Sequence, residues 1–166
     1  MMQFCKVALI ASFLALGACG ESKVTAIDGT SPSTAKASIT QIKMSLKGAE
    51  RDTFEADLIR IQKQYKNPAE FAKALDGKDV AGVHEVGKGS WKYLLDKSRA
   101  VQTADIEKSR DEAKEKVDYL LKNDPRGEQA PLYGVLKPRL DMYEAKLAEM
   151  KGLSDEEFVK KYDLDF

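Results

Sequence analysis

The sequence predicts an all-α protein, an irregular helical bundle or a set of helical hairpins. Apolar residues recur at spacings of three and four along most of the chain, and several Ser, Asn and Pro clusters spell helix starts. No run of alternating β-branched residues joined by a hairpin turn competes with that reading. The 166 residues include 27 basic and 27 acidic side chains, with 33% charged and 43% hydrophobic residues. Such a balance excludes a disordered tail or a collagen-like fibre. Two cysteines and one histidine are too few for a disulfide scaffold or an ordinary zinc module. The zero net charge leaves no basic field to displace counterions from a nucleic acid.

At the amino terminus, Lys6 precedes the apolar run Val7 to Leu16, and the small residues Gly17 and Ala18 lead to Cys19. This is the layout of an export signal. Its ten apolar residues are about half of the roughly 20 that a spanning helix needs. Leu16-Gly17-Ala18-Cys19 resembles the lipobox of bacterial lipoproteins. The resemblance implies cleavage between Ala18 and Cys19, a diacylglycerol on the Cys19 thiol and an acyl chain on its new amino group, with no other cofactor. It also implies that residue 20 directs sorting; Gly20, where an aspartate would retain the protein at the inner membrane, favours the periplasmic face of the outer membrane. Cleavage removes residues 1–18, including Cys5, and so leaves no free thiol and a net charge of about −1.

Residues 19–33, rich in Gly, Ser and Thr, read as a flexible tether, and residues 34–166 as a single helical domain. Gly20 to Ser33, extended, would reach roughly 40 Å from the membrane. Ser31-Pro32 or Ser33 can start the first helix, with Ile39, Ile42, Leu46 and Ala49 on one face. Phe54, Leu58, Ile61 and Tyr65 form a cleaner stripe. Asn67-Pro68-Ala69-Glu70 has the grammar of a cap followed by a first-turn proline, opening a short helix that ends at Gly77. Glycines at 77, 82, 87 and 89 mark the least regular stretch, with one or two turns over Asp79 to Val86. Ser90 to Asn123 contains neither Gly nor Pro and predicts one long helix, or two broken near Thr103. Its stripe weakens at Gln102 and Ser109. Asn123 to Gly127 is a turn by composition. Leu136, Leu140, Tyr143, Leu147 and Met150 form the next stripe, in which Pro138 should kink the helix or mark its start. Ser154 to Phe158 repeats the Asn67 to Phe71 pattern, with Leu153 placed to staple onto Phe158.

Ile27-Asp28-Gly29, Ser38-Ile39, Phe54 and Leu75-Asp76-Gly77-Lys78 are similar to an uncharacterised family of small bacterial lipoproteins. That likeness covers residues 19–90 and implies a short tether, an amphipathic helix pair and a turn opening another helix, where Asp79 stands in place of a threonine cap. It supplies no activity.

The search for chemistry finds lone residues. Gly82 to Ser90 nearly spells the phosphate-binding GxxxxGK[ST], but Gly89 occupies the hydroxyl position and no strand precedes it. A nucleotide partner is therefore not expected, nor a nucleic acid. His84 has no second histidine and no nucleophile elbow, and reads as a partly exposed structural residue. Glu107, Asp111, Glu112, Glu115 and Asp118, interleaved with lysines, read as a solvated face rather than a hydrolytic pair. Acid-first pairs Glu112/Lys116, Glu156/Lys160 and Glu157/Lys161 should bridge successive helical turns. Trp91 and Tyr93 are candidate contacts for a ligand or partner. The expected protein is a non-catalytic, lipid-anchored envelope component that binds a periplasmic or outer-membrane protein, an immunity lipoprotein being a narrower form. The alternative is a carrier or sensor of an apolar ligand in a cavity lined by Phe54, Leu58, Trp91, Tyr143 and Leu147.

Overall fold

The computed structural model describes residues 24–165, which contain six α-helices, one 3-10 turn and no strand. Helices α1 (Pro32–Ser45), α2 (Gly48–Gln64) and α3 (Pro68–Leu75) precede the long α4 (Val80–Asn123). A 3-10 turn at Gly127–Gln129 leads to α5 (Tyr133–Gly152) and α6 (Asp155–Lys161).

The helices start where capping chemistry allows. Ser31 accepts a hydrogen bond from the Thr34 amide at 3.1 Å, Thr34 answers to the Ser31 amide, and Pro32 occupies the first turn. Asn67 accepts from the Ala69 amide at 2.8 Å and Asp79 from the Gly82 amide at 2.8 Å. Ser154 and Glu157 close a reciprocal capping box, and Leu153 packs in the same cluster as Phe158.

One expectation about helix boundaries is corrected, and another is narrowed to one of its two alternatives. The glycine-rich stretch is not a connection: α4 runs unbroken from Val80 through Gly82, Gly87 and Gly89 to Asn123. Each glycine weakens a helix by about 1 kcal/mol relative to alanine, and the burial of Val83 and Gly87 against α2 offsets that cost. Pro138 is neither the start of α5 nor its end but lies inside it. It forfeits one hydrogen bond, to the Gly134 carbonyl, while Leu140, Leu147 and Met150 bury the same helix. The acid-first ion pairs do not form either. Glu157 serves the Ser154 cap, Lys161 reaches Glu149, and base-first pairs such as Lys92–Asp96 and Lys114–Asp118 bridge the turns.

The apolar stripes separate into three clusters strung along α4. The first holds Ile27, Ile42, Phe54, Ile61, Leu75 and Val83. The second joins Leu95 to Met150 and Phe158, and the third joins Ala113 and Val117 to Leu140. Leu95 opposite Met150 and Val117 opposite Leu140 make α4 and α5 an antiparallel hairpin. Forty-four residues give α4 a length of roughly 66 Å, so it is the rod on which the other elements are mounted. Arg99 fastens the middle. Its guanidinium donates to the carbonyls of Met150, Leu153 and Ser154 and to Asp155, and lies 4.3 Å from the Phe158 ring centroid. A cation there satisfies carbonyls that the end of α5 leaves free. At the hairpin turn, the Arg126 side chain and amide hold the Asp124 carboxyl down to about 2.

The expected tether over 19–33 is also corrected. From Val24 onward the chain belongs to the body. Ile27 is 2% exposed; its amide donates to the Lys78 carbonyl at 2.9 Å and its carbonyl accepts from the Gly77 amide at 2.8 Å. Gly29 donates to Asp76 at 2.8 Å, and a Cβ at position 29 would come within 2.2 Å of the Ala72 carbonyl oxygen. From Thr25 to Ser33 the Gly, Ser and Thr residues belong to this tight docking and to the α1 cap, not to slack chain. Residues 19–23 lie outside the described residues. Ile27→Ala should lower stability in urea denaturation by about 2–5 kcal/mol, the cost of emptying a core site. A tether residue would change it by less than about 0.5 kcal/mol.

Candidate functional site

The α2–α4 contact contains the one charged side chain in the core of the described residues. Asp57 lies on the apolar stripe of α2, between Phe54 and Ile61, and is 1% exposed. Its Oδ1 accepts from Arg60 at 3.0 Å, and its Oδ2 lies 2.7 Å from His84 Nδ1. His84 remains 42% exposed and Arg60 30% exposed. A charge taken out of water costs several kcal/mol unless paired, and here each oxygen has its own donor. With Nδ1 donating to Asp57, Nε2 is the nitrogen left to face outward.

Backbone proximity makes the arrangement possible. Gly87, one turn after His84, faces Asp57 so closely that a Cβ there would sit 2.5 Å from Asp57 Oδ1. Ser90, the next residue on that face, is 1% exposed, and its hydroxyl has no hydrogen-bond partner; Arg60 Nε is likewise buried and unpaired. Small residues on α4 thus admit a carboxylate, and the polar inventory beside it is incompletely satisfied.

Beside this pair an open groove of about 750 Å³ runs between Val24 and Thr25, the end of α1, the start of α2 and the start of α4. Ile42, Leu46 and Phe54 form its floor, while Glu50, Asp79 and His84 stand on its rim. Asp79 is engaged as the α4 cap. The groove hydroxyls of Ser45 and Thr53 make no hydrogen bond with His84, whose side chain bonds to Asp57 alone among the described residues. No group of three or more His, Cys, Asp or Glu side chains converges as a metal site among these residues. An oriented imidazole is half of a general-base pair. The Asp57–His84–Arg60 cluster links α2 to α4.

The structure disperses the other candidates. Trp91 packs on the Leu95–Phe158 cluster, whereas Tyr93, two residues along the helix, is 46% exposed on another face. They do not form a shared contact. Phe54 and Leu58 belong to the first cluster, Trp91 to the second and Tyr143 to the third, so the five residues expected to line one cavity do not meet. Gly82 to Ser90 is helical; the Gly82 amide is taken by the Asp79 cap and those after it by the helix, so none is left to cradle phosphate. Asp111, Glu112, Glu115 and Asp118 lie on exposed helix surface. Leu16, Gly17, Ala18 and Cys19 lie outside the described residues. The Asp57 joint escaped the sequence reading, although an acid within the Phe54, Leu58, Ile61 stripe was its available signal.

Compared with known proteins, the chain matches no family model, and no curated protein or solved structure shows significant similarity to it. The expected likeness of residues 19–90 to small lipoproteins finds no support in these comparisons. Two of its motifs meet in space: Ile27 to Gly29 docks on Asp76 to Lys78.

Gly87→Ala should destabilise the protein by about 1–3 kcal/mol, because the added methyl must displace a buried carboxylate. Gly89→Ala meets nothing within 4 Å and should stabilise α4 by up to about 1 kcal/mol. Urea denaturation of the two variants checks the contrast; equal effects would remove the joint.

Proposed function

We propose that this chain is a lipid-anchored envelope lipoprotein whose helical body is a non-catalytic docking module for another envelope protein. Cleavage precedes Cys19, the thiol carries diacylglycerol, the new amino group is acylated, and the body faces the periplasm from the outer membrane. The observation that carries this reading is Leu16-Gly17-Ala18-Cys19 at the end of a short, singly charged, ten-residue apolar signal. No helix among the described residues is long and apolar enough to cross a membrane; in this reading the lipid supplies the attachment. Each buried methylene contributes roughly 0.8 kcal/mol, and two or more chains make the attachment durable.

The docking role draws on the α4–α5 hairpin. Tyr119 is 70% exposed, Val135 65% and Leu132 54%, on a two-helix arm that has only a narrow core of its own. Exposed large apolar side chains on a projecting arm suit a protein partner better than a soluble substrate.

Labelling of cells with an alkyne fatty acid should mark the wild type and not Cys19→Ser, which should leave the membrane fraction; persistent labelling of Cys19→Ser would refute the anchor. A photo-crosslinking residue at Val135 or Tyr119 should yield a discrete adduct in cells. One at Thr40, on α1, serves as the comparison. Adducts no stronger at the hairpin than at Thr40 would overturn the docking role of the arm.

A further inference from the structure

The anchor and the body are joined more closely than composition suggests, and this bears on which surface meets the membrane. Val24 already packs on the first cluster, so only residues 20–23 separate Cys19 from the folded body. The five steps from Cys19 to Val24 span at most roughly 17 Å. Val24 and Thr25 line the same groove as Ser45 and Leu46, which places the exit of the chain beside the carboxy-terminal end of α1. That end carries Met44, at 78% the most exposed of the large hydrophobic residues, flanked by Lys43 and Lys47. The whole of α1 bears lysines and no acid. The start of α4 lines this groove too, and α4 leaves it for roughly 66 Å.

We propose that the α1–α2 end of the bundle, with Met44 and Lys47 foremost, rests on the lipid headgroups to which Cys19 is anchored. The inference rests on the lipid-anchor reading above. A short leash holds this end within reach of the bilayer. An exposed thioether chain suits the headgroup boundary, and Lys47 beside it suits lipid phosphates, while Lys43 is paired with Glu55 at 3.1 Å. Glu50 and Asp79 stand on the groove rim rather than on α1. The hairpin turn, at the far end of α4, is held away from the surface.

The test uses the acylated full-length protein purified from membranes and reconstituted in phosphatidylethanolamine/phosphatidylglycerol vesicles containing a doxyl-labelled lipid quencher. The mature chain has no other free thiol, so Met44→Cys and Tyr119→Cys each accept one fluorophore. Quenching should be several-fold stronger at position 44 than at 119. A flexible Gly/Ser insert between Lys23 and Val24, longer than the present leash, should bring quenching at 44 down towards the level at 119. Equal quenching at both positions, or no change with the longer leash, would overturn the proposal while membrane retention and lipid labelling leave the anchor standing. Absence of lipid on Cys19 would instead overturn the anchor and this inference with it.

Discussion

Asp57 occupies a position where the helical stripe calls for an aliphatic side chain, and the geometry of the first half of the molecule follows from accommodating it. Its carboxylate needs a donor on each oxygen, supplied by Arg60 from its own helix and His84 from α4. It also needs room, supplied by the missing side chain of Gly87. Those demands set the register of α2 against α4: a shift by one turn would place His84 away from the acid and a larger residue over it. A hydrophobic residue of similar volume would pack without such demands, and a buried pair of this kind is better explained by register than by net stability. The unpaired Ser90 hydroxyl and Arg60 Nε fit that view, since a contact selected for stability alone would leave neither.

Around that joint the other elements are fastened by polar contacts at their ends and apolar contacts along their lengths. Ile27 and Gly29 clip the start of the described chain to the turn before α4, and Arg99 clips the end of α5 to its middle. Each clip uses groups that a helix end or an extended segment leaves without partners. Beyond Arg99 the hairpin is held by the small Ala113, Val117 and Leu140 cluster, with Leu120, Ala130 and Leu147 also buried along it, so the apolar clusters shrink from the first towards the turn.

This grading matches the proposed role. The densest packing lies where a lipid anchor would pull on the body, and the thinnest where a partner would add its own apolar surface. A docked arm can gain from its partner the burial that two helices cannot provide for themselves. Under the proposed anchoring, the short leash and the single rod would together convert an attachment on one residue into a direction for the whole molecule.

Local chemistry alone determined the helical class, the caps at Ser31, Asn67, Asp79 and Ser154, and the stripes ending at Leu120 and Met150. Capping and periodicity act within a few residues, so they are legible in sequence. The weak middle of α4 was legible for the same reason: Gln102 and Ser109 are only partly buried. The continuity of α4 through three glycines, the tolerance of Pro138 and the docking of Ile27 were decided by tertiary structure. In each case contacts from residues distant in sequence outweigh a local preference of about 1–3 kcal/mol. The candidate site divides in the same way. The proposed lipobox, Leu16-Gly17-Ala18-Cys19, is a linear pattern, which a peptidase would read along the chain. The Asp57–His84–Gly87 joint exists only once α2 and α4 meet, because a buried carboxylate acquires its partners from the fold and not from its neighbours in sequence.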